Sequence, residues 1–224
     1  MPRETNAQIS EGARELLRIA RTNDRHGALA NNQLFLIALE TGGELLAASL
    51  LREPGGIARL VESVAPPRNF LELSAFALQA MRKRQDRIYT RGGAPGTPVL
   101  SDFDRFVLQA FLESLADLAW PSRDAGDFDG PPLETCTASL AAADPLVFIS
   151  RFVQHYMADI LQYYFAEARI RESIPDLAPE TETNLREVDA RVVSDHVLAA
   201  LRNGGDTAEP ADILAALRHS LDTL

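Results

Sequence analysis

A chain of 224 residues with 46% hydrophobic and 24% charged side chains can bury a substantial core, which excludes wholesale disorder and any need for a disulfide or metal staple. The net charge of −10 is unevenly placed, +3 over residues 1–92 and −13 over residues 93–224. An acidic C-terminal half repels nucleic acid unless a basic face is segregated from it.

Cys136 is the lone cysteine, so no intrachain disulfide forms and a four-ligand zinc site would have to use His, Asp and Glu. A reducing, cytoplasmic compartment is expected. The charged start Met1-Pro2-Arg3-Glu4-Thr5 leads into an amphipathic segment without an apolar stretch, which argues against a secretory signal. Lys83 is the only lysine among abundant alanine and arginine, which points to a GC-rich bacterial coding sequence. No solenoid-length repeat or low-complexity tract is present.

In chain order, the first predicted helix spans about residues 6–22, with Ile9, Ala13, Leu16, Leu17 and Ala20 on one stripe. Residues 28–52 are ambiguous. Two apolar runs flank Glu40-Thr41-Gly42-Gly43, so 33–51 reads either as a small β-hairpin with a Gly-Gly turn or as a buried helix pair broken at the glycines. Leucine and alanine, with almost no β-branched residues, favour helix. The most apolar part, Leu34 to Leu51, is interrupted by Glu40, Gly42, Gly43 and Glu44 and reads as core rather than as a membrane span.

A short helix is expected near 57–64, stopped by Pro66-Pro67. Asn69 and Glu72 then form a capping-box signature for a helix reaching about Tyr89. Ser101 and Asp104 open an amphipathic helix to Trp120, and a loop with a short helix near 135–143 follows. Asp144-Pro145, an N-cap followed by a first-turn proline, starts the longest helix, to about Ser173. Pro175 and Pro179 bracket an expected linker before helices near 184–202 and 210–221.

The 145–173 helix holds six of the chain's fifteen aromatic side chains. Phe148, Phe152 and Tyr156 are four residues apart on one side. They read first as core and, alternatively, as a partner or self-association surface. His155 and Asp159 share an i,i+4 face, with Gln162 beyond, but no further donor marks a metal site, and a helix-surface pair is the simpler reading. Asp124 to Gly130 imitates a calcium loop, yet Ala125 and Cys136 would occupy ligand positions, so no EF-hand is predicted. Arg82, Lys83, Arg84, Arg87 and Arg91 cluster in the last turns of their helix, where they complement its dipole or form an anion or nucleic-acid patch. No phosphate loop, nucleophile elbow or activated-cysteine pattern appears.

The sequence therefore reads as an all-α, compact multi-helix bundle with one long central helix at about 145–173. Residues 1–173 are the expected core domain, and 174–224 a C-terminal helical extension docked on it. No catalytic, cofactor or metal residue is assigned. The leading expectation is a non-enzymatic accessory or adaptor subunit of a bacterial cytoplasmic assembly, with a protein partner or self-association and no membrane. A nucleic-acid-binding regulator using the 82–91 patch is the alternative, although net charge disfavours it. A helical-bundle enzyme with a site near His155 and Asp159 is the second.

Overall fold

The computed structural model describes residues 28–62, 65–91, 102–122, 129–170, 179–204 and 209–223. The predicted 6–22 helix and most of the acidic 124–130 turn lie outside these residues.

Among the described residues there are eight helices and no strand: α1 (Ala28–Leu50), α2 (Pro54–Leu60), α3 (Phe70–Arg91), α4 (Asp102–Ala119), α5 (Leu133–Ala142), α6 (Pro145–Ile170), α7 (Pro179–Gly204) and α8 (Pro210–Thr223). The all-α expectation is correct. The hairpin reading of 33–51 is overturned, and so is the break at the glycines, because α1 runs unbroken through Gly42-Gly43. Each glycine weakens a helix by roughly 0.5–1 kcal/mol relative to alanine. Tertiary packing offsets this: Gly42 lies where the ring of Phe148 seats against the backbone of α1. Gln33–Leu50 is long and apolar enough to cross a membrane, with 56% of it buried inside the fold. Glu40 and Glu44 on its exposed side face Arg84 of α3.

Helix starts follow the chemistry of their caps. The Asp144 carboxylate accepts from the Leu146 amide at 2.9 Å, and Pro145 is the first residue of α6. The Asn69 side chain accepts from the Glu72 amide at 3.0 Å, which is half of the expected capping box. The reciprocal half goes elsewhere, since the Glu72 carboxylate accepts from the Arg68 amide at 2.8 Å and from the Arg68 guanidinium. Pro179 does not close a linker. It opens α7, where a missing amide hydrogen costs nothing.

Packing places α1 against α2, α3, α4, α5, α6 and α8, while α6 lies between α4 and α7 and also touches α1. Phe103 and Phe106 meet Tyr163 at one end of the α4–α6 seam, and Phe111 meets Phe148 at the other, so these helices run antiparallel. α8 packs on α7 and α1. One apolar cluster runs through all of these seams, from Leu34 and Phe35 on α1 to Val193, Val197 and Leu201 on α7 and Leu217 on α8.

Candidate functional site

A polar constellation spans the α4–α6 seam. Helical spacing stacks Gln109, Glu113 and Asp117 on one face of α4, each four residues apart. His155 projects from α6 between the two carboxylates: Nδ1 is 3.0 Å from Glu113 Oε2, and Nε2 is 2.9 Å from Asp117 Oδ2. The Gln109 amide donates to the other Glu113 oxygen at 3.1 Å, which orients that carboxylate. All three members of the cluster are part-exposed, His155 at 28%.

This geometry decides what the cluster can do. The two ring nitrogens of an imidazole point apart, so Glu113 and Asp117 lie on opposite sides of the ring and cannot converge with it on one cation. Among the described residues no group of three or more His, Cys, Asp or Glu side chains is arranged to hold a metal. A doubly protonated ring donates to both carboxylates; a neutral ring donates to one and presents a lone pair to the other. The cluster therefore ties α4 to α6 and can hold a proton at a solvent-reachable point.

The expected pairing of His155 with Asp159 does not form, because the imidazole reaches across to α4 instead. Glu113 and Asp117 were not singled out from sequence. Their i,i+4 spacing on an amphipathic helix was visible, but nothing local says which helix they face.

Phe148, Phe152 and Tyr156 are core side chains, at 2%, 0% and 6% exposure, which corrects their reading as a partner surface. Phe152 stacks on both neighbours with ring centroids 6.3 Å apart, and Phe35 of α1 packs against Phe152 and Tyr156 at 4.8 and 5.4 Å. The stripe was legible. That α1 covers it was not.

The basic cluster is largely engaged within the fold. Arg84 donates to Thr41 Oγ1 at 3.2 Å and pairs with Glu44, with Glu40 at 4.0 Å. Lys83 donates to the Val61 carbonyl at 3.0 Å and lies 3.9 Å from Glu62, which also meets Arg87 at 3.6 Å. Arg82 is exposed, and the Arg91 side chain is outside the described residues. Three acidic partners thus screen a patch that sequence read as five cations against one aspartate, and the nucleic-acid alternative loses most of its charge.

Two buried groups are shifted away from their ordinary pKa values. The Cys136 thiol points at the Pro131 carbonyl at 3.4 Å, and burial pushes its pKa up to about 11, so it is no nucleophile at neutral pH. Asp189 on α7 is 1% exposed, neither of its carboxylate oxygens has a hydrogen-bond partner among the described residues, and burial pushes its pKa up to about 6. Its only sequence signal is its position four residues before Val193, on the apolar stripe of α7.

No family model, no curated protein and no solved structure matches this chain.

Proposed function

We propose that the chain is a non-enzymatic interaction subunit, an accessory or adaptor component of a bacterial cytoplasmic assembly, whose acidic C-terminal half docks on a basic partner. The observation that carries this reading is the charge asymmetry, −13 over residues 93–224 against +3 over the rest. Complementary fields of this kind speed and orient docking. The engagement of Arg84, Lys83 and Arg87 with acidic neighbours is consistent with it, since it leaves the N-terminal half without a strong field of its own.

The test is light scattering on the purified chain, alone and after recovery from its native host, at low and moderate salt. A stoichiometric companion or a dimer, released as salt rises, supports the reading. A monomer that recovers no companion at low salt, or a complex indifferent to salt, refutes it.

A second reading, a helical-bundle enzyme that uses His155 for proton transfer, is favoured by the part-exposed imidazole held between Glu113 and Asp117. Turnover of an ester or phosphoester panel by the native chain, lost in a folded His155→Gln variant, would move the assignment to it.

A further inference from the structure

Asp189 is out of keeping with its surroundings. Its carboxyl is enclosed, both oxygens lack hydrogen-bond partners among the described residues, and the residues one, four and eight positions on are Ala190, Val193 and Val197, all buried. His196 lies seven residues after Asp189, two helical turns away on nearly the same face, and its Nε2 is buried with no hydrogen-bond partner among the described residues. Buried polar groups are ordinarily satisfied, so two unpartnered ones on one face of one helix call for a physical account. An unpaired carboxylate is the form such a site tolerates least, and a neutral carboxyl the form it accepts.

The charges among the described neighbours do not alter this. On α7 itself Glu187, Arg191 and Asp195 are exposed, and His196 is half-buried. From α6 the polar groups are Ser150 and Gln154, which bond to each other and, through Ser150, to Ser194; exposed Arg151; His155, held by α4; and Asp159. From α8 they are Asp212, Arg218 and His219, all exposed. None of them pairs with Asp189, and desolvation is the sole cause of its raised pKa, about 6.

The position of α7 gives the titration a consequence. Among the described helices it packs on α6 and α8, and the Ser150–Ser194 pair is one polar tie to α6, with the hydroxyls 3.0 Å apart and Ser194 also 3.1 Å from the Ser150 carbonyl. We propose that Asp189 is a proton-operated latch: its neutral carboxyl lets α7 close on α6, and its ionisation favours local opening of α7 together with α8. The opened state bares Val193, Val197 and Leu201, so the accessibility of this apolar face is set by pH.

The experiment is hydrogen exchange by mass spectrometry on the full chain at pH 5 and pH 8, under conditions where exchange reports the opening equilibrium, with each rate divided by its intrinsic value. A carboxyl moving from about 6 in the closed state to 3.8 in the open one predicts about a tenfold rise in the opening constant of α7 between these pH values. The amides of α1 and α4 should show no such rise. Asp189→Asn keeps the shape without the titration and should abolish the rise, with Asp189→Leu as the variant to use should the amide fail to fold. His196→Gln should retain it. A rise shared equally by all helices, one that survives Asp189→Asn, or one that disappears with His196→Gln overturns the latch.

Discussion

Gly42 and Gly43 are neighbours in α1 and should respond to alanine in opposite directions. Alanine is favoured over glycine inside a helix by about 1 kcal/mol. At Gly43 that gain is unopposed, because a Cβ there meets nothing within 4 Å. At Gly42 a Cβ would overlap Cε1 and Cζ of Phe148 and come within 3.2 Å of Cδ1. A free ring would swing aside. This one is 2% exposed and wedged between Phe111 and Phe152, with centroids 6.2 and 6.3 Å away, so the strain passes into the core or pushes α1 off α6. Overpacking of this kind costs roughly 1–3 kcal/mol, and an overlap this deep belongs at the upper end, so the expected net loss for Gly42→Ala is about 2 kcal/mol. With about 2–4 °C per kcal/mol for a chain of this size, Gly42→Ala should lower Tm by roughly 4–8 °C and Gly43→Ala should raise it by about 2–4 °C. Thermal and urea unfolding followed by circular dichroism provide the measurement. Phe148→Leu should remove most of the penalty in a double-variant cycle. If Gly42→Ala proves as stable as the native chain, or both variants shift the same way, the close approach of α6 to α1 is wrong.

Three further outcomes follow from the same contacts. His155→Gln should uncouple α4 from α6 modestly, with double-variant cycles to Glu113 and Asp117 each returning about 0.5–1 kcal/mol that shrinks between 50 mM and 1 M salt; zero coupling at both salts would remove the cluster as a clamp. Asp189 binds its proton more tightly in the folded chain, at about 6 against 3.8. Its contribution is therefore fully present below pH ~4, is lost as pH rises through ~6, and is level above, a swing of about 3 kcal/mol that Asp189→Asn should flatten in urea titrations across this range. Cys136, buried and titrating near 11, should react with iodoacetamide at pH 8 on the order of 100-fold more slowly in the folded chain than in urea; equal rates would place the thiol at the surface.

How much was legible from sequence depended on whether the deciding physics was local. Helix content and most helix limits were, because the 3.6-residue stripe, the Asp144-Pro145 start and the Asn69 cap act over a single turn. Even there locality had limits. Gly42-Gly43 carried a break signal that the fold overrides, since the space at Gly42 is filled by a ring from α6, about a hundred residues away in the chain. Pro179 read as the end of a linker and begins a helix, because proline is compatible with a first turn and a linker alike.

The candidate site was less legible than the fold. Sequence gave His155 and its i,i+4 neighbour Asp159, but rotation of α6 against α4 brings Glu113 and Asp117 to the ring instead. The stripe of Phe148, Phe152 and Tyr156 was visible as apolar, yet whether such a stripe meets solvent, a partner or another helix is settled by which element covers it, and that element is α1. The basic run at 82–91 was visible as charge, while the acids that screen it come from α1 and from the turn after α2. Asp189 shows the division most plainly. Its place on an apolar stripe is written in the sequence, but a carboxyl's protonation state depends on how much water and which charges surround it, and only the packing of helices from across the chain decides that.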